Sequence, residues 1–411
     1  MRQRLSTWSA AALLGVLTIG TYGIAQYSFS VLIAAVADDT GWSPGVLAGA
    51  FSLGLLGSGA VALIAGRIFD RVGSGPILLP AVAVGSAAYF VAAWAEESWQ
   101  FVIAWAIGGA ALGGATFYNV TIPMVTRIYR ERRTQGVSVL TFFGALASPL
   151  FLPIAGEMIE AWGWRDALRG LVVLTLTCAL PAAILVHAPP APRAAGSARH
   201  GSTLAALREP AVMRALVVLA VATAGNSILL VHQVAAMQAA GLTLAAASAY
   251  AGARGFMQIP GRLLLVPLTS RAGLRGGMAV CYVAAATASL ALLISGTGLT
   301  VPLILYYTAF AGMSLGMLSA LIGLFQADVY GDSRIGSLTG VAFVLMTVSQ
   351  AIAAWVAGLA VDWTGGYTVS VGAVVVLQAA VIGLIVWQRA APVMETPGTI
   401  EAAGIARSTN G

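Results

Sequence analysis

Twelve apolar segments punctuate this chain, at roughly 9–37, 44–69, 76–95, 99–127, 135–160, 165–187, 211–240, 244–269, 274–296, 300–328, 336–361 and 367–389. Each offers about the 20 residues that a helix needs to cross the hydrocarbon of a bilayer. Lipid supplies no hydrogen-bond partners, so such segments must close their own backbone bonds as α-helices. The fold class that follows is an all-α membrane protein with twelve transmembrane helices. Only 9% of the 411 residues are charged, against about 25% in a soluble domain. Turn and charge signals mark most of the breaks: Asp38-Asp39-Thr40-Gly41, Glu96-Glu97-Ser98, Arg130 to Arg133, Gly331-Asp332 and Trp363-Thr364-Gly365-Gly366. Arg2 and Arg4 before the first apolar run imitate a signal peptide, but the run continues uncharged to Val36. That is too long for a signal peptide's apolar core, so a retained first helix is expected.

Loop charge sets the orientation. All 21 basic residues are arginines, which rules out any lysine-based site. With twelve spans, one side receives Arg2, Arg4, Arg67, Arg71, Arg127, Arg130, Arg132, Arg133, Arg193, Arg199, Arg208, Arg214, Arg262, Arg271, Arg275, Arg334, Arg389 and Arg407. The other side receives Arg165 and Arg169, and Arg254 stays within the membrane. The positive-inside rule therefore places both termini in the cytoplasm of a multi-pass cell-membrane protein. The net charge of +6 sits in these short loops, so it is an orientation signal and implies no nucleic acid. Cys178 and Cys281 fall in separate apolar segments and support neither a disulfide framework nor a thiol metal site.

The chain repeats itself. Gly66-Arg67 after span 2 is matched by Gly261-Arg262 after span 8. Tyr129 and Arg133 are matched by Tyr330 and Arg334, and Trp162 by Trp363. The expected division is a six-helix bundle over 1–187, a cytoplasmic linker over 188–210, a second bundle over 211–389 and a cytoplasmic tail over 390–411. Duplication of this kind places a binding site between the halves, near the midplane.

The loop Gly66-Arg67-Ile68-Phe69-Asp70-Arg71-Val72-Gly73 resembles the cytoplasmic signature of the major facilitator superfamily: a glycine, three residues, then Asp-Arg-x-Gly. The resemblance implies two pseudo-symmetric six-helix bundles working by alternating access. It implies that Gly66, Asp70, Arg71 and Gly73 gate, together with Arg262 of the second copy. The glycine would permit close helix approach, and the Asp would sit against a helix N-terminus, whose dipole favours an anion. In the second copy Gly261 and Arg262 remain while Leu265 stands in the Asp position, so the latch is expected to be one-sided. Gly163-Trp164-Arg165, His232-Gln233 and Gly255-Phe256-Met257-Gln258-Ile259-Pro260-Gly261-Arg262 resemble the bacterial branch near the oxalate/formate and monocarboxylate transporters. That likeness implies an arginine in span 8 holding a substrate carboxylate. The chain departs from the branch at Tyr250, where some members carry an acid, and in having no span 11 lysine. A dicarboxylate held between two cations is therefore not expected. Multidrug antiporters of the superfamily carry a span 4 arginine, absent here, and a span 5 Gly-Pro motif, present only as the degraded Gly144-Ala145-Leu146-Ala147-Ser148-Pro149.

Arg254 is the lone charge of its span before Arg262. An intramembrane charge costs about 2.5–3.5 kcal/mol on insertion scales and lines a cavity by default. With no carboxylate in the central part of any span, its partner is expected to be an anionic substrate. Gln258 lies four residues on, hence on the same helix face. His232 lies at similar depth on the preceding span and is the proton-coupling candidate, because imidazole titrates near neutral pH. Asn226 and Gln26 occupy matching places in the two halves. Tyr27, Tyr118, Asn119, Tyr307 and Gln350 complete the expected substrate-binding set; each is equally suited to plain helix packing.

The expected function is secondary active transport of a small, monocarboxylate-like anion, proton-coupled, by a monomer without cofactor or metal. The alternative is efflux of neutral or cationic small molecules or metalloids. A membrane enzyme is excluded by the absence of a buried carboxylate pair or ligand cluster. A sensor would need a signalling domain larger than residues 390–411.

Overall fold

The computed structural model describes residues 8–190, 206–330 and 335–390. Arg2, Arg4, Arg193, Arg199, Arg334, Arg407, the Gly331-Asp332 turn, most of the expected linker and the tail lie outside them. The described chain is helical almost throughout. The helices are α1 (Ser9–Tyr22), α2 (Ser28–Thr40), α3 (Pro44–Val72), α4 (Gly75–Ala92), α5 (Ser98–Thr116), α6 (Tyr118–Ile128), α7 (Arg133–Gly144) and α8 (Ala147–Leu185). After the linker come α9 (Pro210–Ala239), α10 (Leu244–Phe256), α11 (Gln258–Leu293), α12 (Thr300–Tyr330), α13 (Ile335–Thr364) and α14 (Thr368–Ala390).

Ten continuous stretches among the described residues are long and apolar enough to cross a membrane. Two of them, Arg133–Leu185 and Leu244–Leu293, run to 53 and 50 residues. Each contains one glycine far from helical geometry, Gly163 at φ 75° and Gly273 at φ 68°. A side chain would be strained there, and a turn at each is consistent with the expected twelve crossings.

Helix ends follow their sequences. Ser43 caps α3 by accepting from the Val46 amide at 3.2 Å, and Thr243 caps α10 by accepting from Ala246 at 3.2 Å. Glu97 and Gln100 form a capping box at α5. Interruptions within spans have identifiable causes. Proline lacks an amide hydrogen and frees the carbonyl four residues earlier. Pro149 frees Ala145, where α7 gives way to α8, and Pro260 frees Phe256, where α10 gives way to α11. A five-residue π turn, Gly23–Tyr27, joins α1 to α2, and the Ser28 hydroxyl donates to the Gly23 carbonyl at 2.9 Å. Phe117 is extended between α5 and α6; the Asn119 amide donates to the Gly114 carbonyl at 2.9 Å, an acceptor that the break leaves open.

Three apolar clusters organise the packing. One, including Leu14, Phe69, Val125 and Ala182, draws only on residues up to Ala188. A second, including Leu219, Met278, Phe325 and Ile385, draws on residues from Ala206 onward. The largest draws on both, joining Phe29, Phe51 and Phe151 to Ile228, Ala247 and Ala357. The two halves of the chain thus share a core toward the face that carries Gly41, Gly163, Gly241 and Gly365, the distal face. They have separate cores toward the opposite, proximal face. Cys281 is fully buried against Met317, and Cys178 lies in another helix, so the cysteines do not converge.

Candidate substrate-binding site

A cavity of about 440 Å³ lies between the halves. Every interruption described above borders it. Gln26 and Tyr27 come from the π turn, Phe117, Tyr118 and Asn119 from the α5–α6 break, Ser148 from the start of α8, and Gly255 and Gln258 from the α10–α11 break. Broken helices expose polar backbone and side chains at membrane depth, which is tolerated where they face a cavity.

Arg254 reaches this cavity from the last turn of α10 and is only 7% exposed. Its Nη1 donates to Gln233 Oε1 at 2.7 Å and to the Tyr307 hydroxyl at 3.3 Å. Its Nη2 donates to Asn226 Oδ1 at 3.4 Å. The Tyr307 hydroxyl donates to the same Gln233 Oε1 at 2.8 Å. Nε is buried without a partner. The guanidinium is therefore oriented by three neutral groups and neutralised by none. No carboxylate lines the cavity among the described residues. The helix backbone is placed as firmly as the side chain: α12 lies so close at Gly312 that a Cβ there would stand 2.3 Å from the Arg254 carbonyl oxygen.

Eight of the nine expected binding residues line the cavity: Arg254, Gln258, Asn226, Gln26, Tyr27, Tyr118, Asn119 and Gln350. Tyr307 is fully buried behind Arg254 and acts on it from there. His232 is not beside Arg254. It is 1% exposed, its Nε2 lies 3.2 Å from the Ala354 carbonyl, and it does not border the cavity. Its neighbour Gln233 holds the position expected of it. Sequence reasoning missed Gln233, although Asn226, Leu230 and Gln233 are spaced four and three apart and all line the cavity. The opposite wall is aromatic, with Tyr22 and Phe117 stacked at 3.7 Å between centroids.

The signature loop lies at the proximal face. Asp70 pairs with Arg127, at the end of α6 in its own half, and among the described residues it meets no helix N-terminus. Arg127 also donates to the Phe69 and Pro189 carbonyls, at 3.3 and 3.4 Å, and lies over the Phe69 ring. Gly73 takes φ 91° and bonds back to the Phe69 carbonyl, ending α3. Nothing would meet a Cβ at Gly66 within 4 Å, so the expected close approach is not made there. Arg71 and Arg262 are exposed.

Residues 15–354 match the profile of the Major Facilitator Superfamily. The chain belongs to that superfamily. It is 28% identical over 160 residues to multidrug resistance protein D of Escherichia coli K12, covering 39% of this chain and 40% of that one. It is 28% identical over 180 residues to multidrug resistance protein MdtL of Shigella dysenteriae serotype 1, covering 42% and 45%. The matched part thus spans less than half the length of these relatives. Among solved structures, a mutant of the nucleoside transporter NupG superposes with a TM-score of 0.77 at 14% identity, covering 92% of this chain and 99% of that one. A bacterial homolog of the lysosomal transporter Spinster gives a TM-score of 0.63 at 12% identity, covering 93% and 95%. These superpositions establish the fold, and the chain is a multi-pass membrane protein of that superfamily. None of these likenesses supports the oxalate/formate or monocarboxylate branch.

Proposed function

We propose that this transporter exports small organic compounds that are anionic or neutral, with Arg254 as the anchoring group. The observation that carries the charge preference is the uncompensated guanidinium on the cavity wall. A cation entering would meet a like charge with no carboxylate to balance it, whereas a carboxylate could pair with it bidentately where water is scarce. Efflux is the direction favoured, because the matching relatives are multidrug resistance proteins. The aromatic wall of Tyr22, Tyr27, Phe117 and Tyr118 suits an apolar body attached to the anionic group. The positions assigned to binding are those around Arg254, with Gln233 as its positioning partner. The same reading takes residues 1–187 and 211–389 as two bundles about the linker, with the proximal face cytoplasmic. His232 has no part in it.

The test is flux in proteoliposomes with matched anionic, neutral and cationic fluorescent compounds. Wild type should move the anionic compound faster than the cationic one. Arg254→Gln should cut anionic flux about tenfold or more, the scale of one charged hydrogen bond, and leave neutral flux within a few-fold. Arg254→Lys should lose most affinity, because an ammonium lacks the planar fork. Cationic flux equal to anionic flux in wild type would overturn the charge preference.

A further inference from the structure

The distal face carries the same device twice. At the start of α3, Ser43 caps the Val46 amide, Pro44 has no amide hydrogen, and the remaining Gly45 amide donates to both oxygens of Asp362 at 3.1 Å. The Ser43 hydroxyl also donates to Asp362 Oδ2 at 2.9 Å. At the start of α10, Thr243 caps the Ala246 amide and the Ala245 amide donates to Glu160 Oε1 at 2.7 Å. Ser43 and Thr243 lie 200 residues apart, as do Gly45 and Ala245, and Glu160 and Asp362 lie 202 apart. In both copies the helix N-terminus belongs to one half of the chain and the carboxylate to the other. A carboxylate is favoured there by unpaired amides and by the helix dipole.

The helix pairs joined in this way separate toward the proximal face. Between α3 and α13, the Ser52 hydroxyl donates to the Ala351 carbonyl at 2.7 Å. At Gly59 the nearest atom to a Cβ is already 3.9 Å away, on Thr347, and at Gly66 and Gly340 nothing lies within 4 Å. Between α8 and α10, contacts run from Gly156 with Ser248 to Gly255 with Ser148. Beyond them, the nearest atoms to a Cβ at Gly136 and at Gly261 belong to their own halves.

We propose that Asp362 and Glu160 form a paired latch that holds the distal side closed, and that its release is the step that opens the cavity to that side. Each carboxylate bonds across the boundary that must part in alternating access, so losing it favours the distal-open form. The inference makes no use of the substrate's charge and stands or falls apart from that reading.

The experiment measures spin-label distances in the full chain in nanodiscs, with Cys178 and Cys281 replaced by Ser. Labels at Glu96 and Thr297 report the distal face, and labels at Arg130 and Arg271 the proximal face; all four positions are exposed. Wild type should show a short distal distance. Glu160→Gln and Asp362→Asn should each raise the long-distance distal population about two- to fivefold, a modest effect because both groups meet water. The double variant should show the product and a matching shortening at the proximal pair. Glu157→Gln, one turn earlier and also exposed, should change neither. Unchanged distances in the double variant, with only a lower melting temperature, would reduce the two carboxylates to static caps and overturn the proposal. So would an equal shift in the Glu157 variant. The isosteric variants keep a hydrogen-bond acceptor, and chromatographic monodispersity checks that each has folded.

Discussion

At the scale of single residues, the site is a buried cation whose neighbours orient it without cancelling it. Gln233 is the pivot, since its one carbonyl oxygen accepts from both Arg254 and Tyr307. Gln233→Leu should leave the Tyr307 hydroxyl without an acceptor and Arg254 Nη1 with only the longer contact to that hydroxyl, at a cost of about 1–3 kcal/mol for a buried polar group. The expected outcome is a lower melting temperature together with weaker binding of an anionic substrate. Saturating substrate should recover part of the lost stability in the same melting measurement. Unchanged binding would mean that Arg254 does not depend on this partner. Arg254 was legible in the sequence because a lone charge in an apolar span stands out. Gln233 was not, because it adjoins His232 and the histidine's chemistry draws attention first. One residue is about 100° of helix rotation, and that rotation puts the amide on the cavity wall and the imidazole against Ala354. The seven-residue spacing from Asn226 was the signal that separates them.

At the scale of elements, the spans were readable because about 20 apolar residues fix a crossing. Their interruptions were not, since Pro149 and Pro260 say that a carbonyl is freed but not which way the chain turns afterwards. Those interruptions are what bring the polar residues together, so the cavity itself was only partly legible. Helix packing then locks the arrangement. Gly312 and Gly323 lie on the same helix, α12, yet a Cβ at Gly312 would collide with the Arg254 carbonyl while nothing lies within 4 Å at Gly323. Gly323→Ala should be neutral or slightly stabilising, since alanine favours helix by about 1 kcal/mol over glycine. Gly312→Val should push α10 away and weaken substrate binding about tenfold or more, as expected of a small displacement at an anchoring group. Equal binding by the two variants, measured by substrate quenching of tryptophan fluorescence, would show that the close approach does not position Arg254.

At the scale of the whole molecule, the two faces are built differently. The distal face joins the halves through a shared core, while the proximal face leaves each half with a core of its own. A reporter fused at Gly411 should read cytoplasmic, as the 18-to-2 split of loop arginines requires; a periplasmic reading would invert every statement about direction. Within that orientation, Asp70 of the family signature has no partner in the other half among the described residues. Asp70 instead holds Arg127, which ties the end of α3 to the end of α6 and to Pro189. Asp70 is 60% exposed although Arg127 is only 20% exposed, and a pair with one partner in water adds little stability. Its contribution is therefore better sought in the rate of closing than in folding. The sequence pattern located the loop and its acid but not this partner, because Arg127 is one of several arginines near the same face. Asp70→Asn should slow turnover several-fold while leaving the melting temperature and the equilibrium affinity for substrate nearly unchanged, because the cavity lies a half-membrane away. Arg127→Gln should do the same, and the double variant should be no slower than either single one if the two act as one unit. Weakened binding in Asp70→Asn, with normal turnover at saturation, would move this acid from gating to binding.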